Sequence, residues 1–232
     1  MIGEAAAAAA GAAGLLAFGA LEPNNRLFGP VTGRGPRDRA VYLTFDDGPN
    51  PGATPAILDA LAGAGVPAAF FVVGRHVQRF PELARAVAAA GHSIGNHTHS
   101  HVKLHLHGPA RVQAELCQAH RAIVAETGVS PRMFRAPHGY RNPFVFRAAR
   151  GLGYRVMGWT FGVWDTALPG AEEIRRRVRS KLRPGAVLLL HDGDGYDPAG
   201  DRRQTAEALP GIIADVRAAG YEFRPLEALL AP

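Results

Sequence analysis

Two histidines four residues apart, His97 and His101, stand in the run Asn96-His97-Thr98-His99-Ser100-His101, and two adjacent carboxylates, Asp46 and Asp47, stand upstream in Thr44-Phe45-Asp46-Asp47-Gly48-Pro49. Two neutral imidazoles and one carboxylate, with a coordination position left for water, make a common catalytic site for zinc or a similar divalent ion. One of the two aspartates can ligate while the other takes a proton. If the histidine segment is helical, its spacing puts both imidazoles on one face. Each feature alone has a plainer explanation. A lone histidine is usually a hydrogen-bonded core residue, and His92, His99, His105 and His107 make this stretch rich in imidazole generally. Asp-Asp-Gly-Pro is also ordinary turn chemistry. Adjacent like charges at a strand end nevertheless cost energy unless a cation shares them, so the aspartate pair and the histidines strengthen one another.

Three further polar residues, Arg135, Asp165 and His191, join this set because of where they fall relative to the expected elements. Strands are expected at Val41–Phe45, Ala68–Val73, His92–Gly95, Arg132–Arg135, Tyr154–Gly158, Ala186–Leu190 and Tyr221–Phe223. Asp46 and Asp47 follow the first, His97 and His101 the third, and Arg135 ends the fourth. Asp165 follows the fifth and His191 the sixth. Helices are expected at Pro55–Ala64, with Thr54 as its cap, then from Pro81 to Ala90, with Gly91 as a left-handed stop. Ala110–Thr127, Pro143–Leu152, Ala171–Leu182 and Arg203–Ala219 complete the set. Strict β–α alternation predicts an α/β fold, a single-domain distorted (β/α) barrel with about seven parallel strands and outer helices. In such barrels the loops after the strands converge on one face, so five clusters distant in sequence would meet in one pocket.

Composition bounds the alternatives. A 232-residue chain that is 47% hydrophobic and 20% charged suits one compact domain and excludes a disordered chain. The net charge of +6 is compatible with nucleic acid, an anionic membrane or an anionic wall polymer. No nucleic-acid motif accompanies that charge, and the dense run Arg175, Arg176, Arg177 and Arg179 reads as a solvated helix face, so no nucleic-acid partner is expected. Cys117 is the sole cysteine, which excludes an internal disulfide; it reads as a small core residue. His191 beside Asp165 would suit a serine hydrolase triad, but there is no Gly-x-Ser-x-Gly elbow, phosphate loop or dinucleotide fingerprint.

Residues 1–37 read as an Ala-rich N-terminal segment, a signal or membrane anchor plus linker, ahead of a catalytic domain at 38–232. Ala5 to Leu21 is an uncharged Ala/Gly/Leu run, although alanine and glycine insert poorly. Arg26, Arg34, Arg37 and Arg39 follow it and, by the positive-inside tendency, would keep the remainder cytoplasmic. The expectation is membrane-associated or extracytoplasmic, with a cytoplasmic location as the alternative.

Five motifs carry a family resemblance. TFDDGP at 44–49, HTHSH at 97–101, RAPHG at 135–139, WTFGVWD at 159–165 and LLLHDG at 188–193 resemble, in order and spacing, those of the polysaccharide deacetylase (NodB-homology) family, carbohydrate esterase family four. The resemblance runs from about residue 40 to the C-terminus. It implies that Asp46 is the catalytic base and that Asp47, His97 and His101 hold one divalent metal, zinc first and cobalt or another divalent ion next. It implies that Arg135 orients the base, that His191 is the general acid, and that Asp165 positions it. The backbone N–H of His138 is implied as oxyanion donor. By residue type alone, Trp159 and Trp164 suit a sugar-stacking face, against the commoner fate of a buried tryptophan. The sequence departs from the family where His138 replaces an aromatic, often Tyr, and where Thr166 rather than Trp follows Asp165. The implied function is removal of N-acetyl groups from an N-acetylglucosamine-containing polysaccharide, peptidoglycan- or chitin-like. The alternatives are an O-acetyl xylan-type esterase or a deacylase of a lipid-linked sugar; a sugar-binding protein on a catalytically dead scaffold is the rival from another class.

Overall fold

The computed structural model describes residues 2–231. Its sheet begins with β1 (Ala40–Asp46), buried along its whole length, as are β2 (Ala68–Val72) and β3 (Ser93–Asn96). Burial on both faces is what a parallel sheet covered by helices requires. The remaining strands are β4 (Met133–Phe134), β5 (Arg155–Val156), β6 (Phe161–Gly162), β7 (Ala186–His191) and β8 (Glu222–Phe223). They run in the order β5-β4-β3-β2-β1-β7-β6, with β8 paired to β1, and every pairing is parallel. The result is the distorted barrel that strand–helix alternation predicts. Its end strands β5 and β6 do not pair with each other. The chain ahead of β1 lies along that opening: Thr32 bridges Met157, Arg34 bridges Ala186, and the Thr160 hydroxyl donates to the Gly33 carbonyl at 2.7 Å.

Eight helices are described: α1 (Ile2–Leu21), α2 (Thr54–Ala64), α3 (Gly74–Arg79), α4 (Pro81–Ala89), α5 (Pro109–Thr127), α6 (Pro143–Gly151), α7 (Ala171–Lys181) and α8 (Arg203–Ala218). The two-residue period of β1 decides what each side chain does. Val41, Leu43 and Phe45 join the core beneath α2, α7 and α8, together with Ile57, Ile174 and Leu209. Tyr42 turns the other way, into the barrel interior with Phe71 and Met133. Thr44 and Asp46 share that inward face, so the alternation that packs the core also aims Asp46 into the barrel mouth.

Several local expectations are corrected. β6 and α3 were not foreseen, α3 being too short to show a helical period and β6 lacking an apolar run, and Asp165 therefore follows β6 rather than the fifth strand. His97 to His101 is a loop, not a helix, and Thr98 and His101 take positive φ of 68° and 57°. Thr54 makes no capping bond at α2; its hydroxyl turns instead to Asp192. Cys117 is half-buried on α5 rather than in the core. Among the described residues no helix is long and apolar enough to cross a membrane.

Candidate active site

Asp46 is the last residue of β1 and His191 the last of β7, and the two are register neighbours across that strand pair. Their side chains therefore emerge side by side where the barrel opens. One Asp46 oxygen accepts from Arg135 Nη1 at 2.6 Å. The same Nη1 reaches the Thr44 hydroxyl at 2.9 Å, and Nη2 donates to the Gly158 carbonyl at 2.9 Å. Arg135 is wholly buried, its guanidinium lying 4.1 Å over the Phe71 ring. Burial lowers the Arg135 pKa and Asp46 opposes that fall, which is how a fully desolvated cation stays paired here.

Asp47 turns away from Asp46 because its backbone is left-handed, with φ 78°. Its Oδ1 lies 3.2 Å from His97 Nε2 and 3.0 Å from His101 Nε2. The Nδ1 of His97 lies 2.8 Å from the Arg135 carbonyl. A carbonyl only accepts, so Nδ1 carries the proton and Nε2 presents a lone pair. Asp47 Oδ1 is buried with no hydrogen-bond partner. Lone pairs converging in a buried place repel unless a cation stands among them, and the ligand atoms of Asp47, His97 and His101 all lie within 4.8 Å of one another. This donor set fits one divalent ion.

Opposite these ligands, His191 Nδ1 lies 2.9 Å from Asp165 Oδ1, while Asp165 Oδ2 accepts from the His191 backbone N–H at 2.8 Å and from the Thr205 hydroxyl at 3.0 Å. Asp165 is wholly buried; burial raises its pKa, but His191 and these donors leave it lowered. Burial lowers the His191 pKa, while Asp165 first and then Asp47 and Asp46 lift it, to about 9. With Nδ1 turned to Asp165, Nε2 is the nitrogen left to face the cleft.

The cleft holds about 510 Å³ and is lined by both aspartates, His97, His101 and His191, with Trp159 and Trp164 on its walls. Trp164 is 71% exposed at the rim, with φ 56°. Trp159 is half-buried and stands 5.8 Å from the Arg135 guanidinium. His138, with φ 57°, faces the cleft from the turn after β4, and its Nε2 lies 2.9 Å from the Tyr196 hydroxyl. Burial and the neighbouring His101 bring the His138 pKa down to about 4.

The site thus gathers the catalytic, ligand and wall residues singled out from the sequence, from the ends of β1 and β7 and the segments after β1, β3, β4, β5 and β6. It also contains residues that sequence reasoning missed. Asp192, wholly buried, accepts from the Gly48 N–H at 3.1 Å and the Thr54 hydroxyl at 2.6 Å. Burial pushes its carboxyl up to about 7, with Asp47 and Asp46 adding to the rise against the Thr54 hydrogen bond. Its adjacency to His191 was the available signal. Tyr196 packs edge-on against His101 at 4.9 Å between centroids, in a loop that Arg75 clasps through the Gly195 and Tyr196 carbonyls. Only a polar Gly-Asp-Gly-Tyr run marked it.

Residues 33–157 match the polysaccharide deacetylase family model. A chitooligosaccharide deacetylase of Bradyrhizobium sp. (strain ANU 289) is 41% identical over 213 residues, covering 88% of this chain and 94% of that one. A peptidoglycan-N-acetylglucosamine deacetylase of Bacillus cereus is 35% identical over 195 residues, covering 83% and 89%. Among solved structures, a peptidoglycan N-acetylglucosamine deacetylase superposes with TM-score 0.80 at 28% identity, covering 85% of this chain and 91% of that one. A CE4 family pseudoenzyme from Bacillus anthracis superposes with TM-score 0.78 at 28% identity, covering 86% and 68%. Barrel and site together define a hydrolase of the α/β class. The chain belongs to the polysaccharide deacetylase family.

Proposed function

We propose that this protein removes the N-acetyl group from N-acetylglucosamine units of an oligosaccharide or polysaccharide, with zinc held by Asp47, His97 and His101. The observation that carries the reading is the convergence of those three donors beside Asp46, with His191 as register neighbour. Similarity to the chitooligosaccharide and peptidoglycan deacetylases supports the substrate class. One similar structure is a CE4 family pseudoenzyme, so likeness of fold does not by itself carry activity, and the reading rests on the acid, base and ligand residues of this chain.

A divalent ion in this position supplies Lewis acidity and makes water more acidic. The residues then divide the proton work. Asp46, held by Arg135, takes the proton from the attacking water. Arg135 fixes the carboxylate's rotation, so one oxygen stays free toward the cleft. In this reading the backbone N–H of His138 donates to the developing oxyanion. His191 gives its Nε2 proton to the departing amine, and Asp165 steadies the imidazolium from the other side. Base and acid are separate groups because an amine leaves only when protonated. Trp159 and Trp164 offer the sugar ring a stacking wall.

The test is acetate release by the zinc-loaded full chain from chitin oligomers and from peptidoglycan, with acetyl-xylan and a lipid-linked amino sugar in parallel. Release from the first pair is expected. Asp46→Asn is expected to keep its zinc and lose about 10²–10⁴ in kcat. A zinc-loaded protein inert on every acylated sugar would overturn the proposal, and preference for acetyl-xylan or the lipid-linked sugar would move it to that substrate.

A further inference from the structure

A second concavity, about 850 Å³, lies on the barrel flank beside β5, and it shares no lining residue with the cleft. Its lining holds four arginines, Arg132, Arg147, Arg150 and Arg155, and no carboxylate. Some arginines elsewhere meet acids, as Arg85 meets Glu82, Arg111 Glu115, Arg175 Asp215 and Arg224 Asp38, while others, such as Arg26, Arg34 and Arg183, donate only to carbonyls. Among the described residues the four flank arginines have no acidic partner, and Arg155 donates only to the Leu230 carbonyl, at 3.2 Å. Four exposed cations around one hollow with no carboxylate in its lining make a positive patch that attracts anions, more strongly at low salt.

The flank is continuous with an apolar ridge. Leu15, Leu16 and Phe18 on α1 and Leu27 just beyond it are all exposed. The last turns of α1 rest on Leu27 and Phe28 through Gly19, where a side chain would collide with both. Phe28 lines the hollow, and Gly29 is pressed against Phe146 of α6, the helix that carries Arg147 and Arg150. The Ala20 carbonyl also accepts from the Arg141 N–H at 2.9 Å. Exposed leucine and phenylalanine therefore adjoin unpaired arginines on one connected surface.

We propose that this surface docks on an anionic phospholipid bilayer, the ridge of α1 and Leu27 entering the acyl boundary while the flank arginines take lipid phosphates. A soluble polyanion would use the arginines but leave the apolar ridge in water; a bilayer uses both. A second copy of the chain would bring four arginines against four, a like-charge contact. The cleft keeps its own separate lining, so a docked protein can still receive a sugar chain there.

The test is co-sedimentation of the full chain with phosphatidylcholine vesicles, with and without phosphatidylglycerol, at low and high salt. Binding is expected only with phosphatidylglycerol. Arg147→Gln and Arg150→Gln are each expected to weaken it about fivefold. Leu15→Ser with Phe18→Ser is expected to weaken it at least tenfold and to make the remainder wholly salt-sensitive. All four side chains are exposed, so thermal melts should match the parent, and that control is read apart from any sugar assay. Equal binding to both vesicles would overturn the proposal. So would heparin binding as tight as vesicle binding and insensitive to the Phe18 change, or a concentration-dependent dimer abolished by the same substitutions.

Discussion

At the residue scale the acid is tuned by its neighbours. The His191 pKa is raised to about 9 in the folded protein, above the ordinary value of 6.5: burial pulls it down, but Asp165, aided by Asp47 and Asp46, pulls harder. Because the folded value lies above the unfolded one, the stability gained from this pair is complete below about 6.5 and is lost as pH rises through about 9. An acid that must carry a proton to expel an amine gives the rate the same sign. The kcat/KM of the zinc-loaded enzyme is therefore expected to fall on the alkaline side as His191 loses its proton, at a lower pH than in the ion-free protein because the cation offsets the Asp47 and Asp46 charges. Asp165→Asn removes the largest raising charge and is expected to move that limb acidward by about one to two units, read from the pH profile of kcat/KM. An unmoved limb would assign it to a different group. The residue types at this site were legible in the sequence because chemistry of this kind needs two imidazoles, paired carboxylates and a separate acid at strand ends. Asp192 was not legible, since a buried carboxyl whose partners are a turn amide and a hydroxyl has no spacing signature.

Between elements, Asp192 ties β7 to the turn after β1 and to the start of α2. Its loss strands two buried donors, Gly48 N–H and the Thr54 hydroxyl, at about 1–3 kcal/mol each. Asp192→Leu is therefore expected to lower unfolding free energy by about 2–5 kcal/mol in urea titration; a change within error would show the turn holds itself. Gly195 presses against the His101 ring so closely that an added methyl would collide with it. Gly195→Ala is expected to keep the fold by circular dichroism and to lose about 10- to 100-fold in zinc affinity, as changes beside a ligand do. The long elements could be read ahead of the structure: β1, β2 and β7 are continuous apolar runs, and α5 and α8 carry clear helical periods and stops. Six-residue α3 could not, because so short a run holds no helical period, and two-residue β6 lies between Trp159 and Trp164 without the apolar run that marked β4 and β5. For the His97–His101 segment the i, i+4 spacing left a helix open, and positive φ at Thr98 and His101 brings both rings to the site from a loop instead.

For the whole molecule, the ion and the fold are linked. A cation that binds the native site and not the unfolded chain stabilises by about 2.7 kcal/mol at one hundred times its dissociation constant. Chelation is therefore expected to lower Tm, and zinc in excess to restore it, followed by calorimetry with acetate release as the second readout; an indifferent Tm would mean that Asp47, His97 and His101 do not grip an ion. The barrel was legible as a whole, and so was the option that it stays incomplete, but the strand pattern does not say which two strands fail to meet. There, Thr32 and Arg34 are stitched to Met157 and Ala186 across the gap. These residues behave as a latch. Cutting the chain just before Ala40 would unfasten it and bare two strand margins, each with free amides and carbonyls able to recruit another molecule. Such a truncated protein would come out of solution as aggregate before it showed any defect in chemistry.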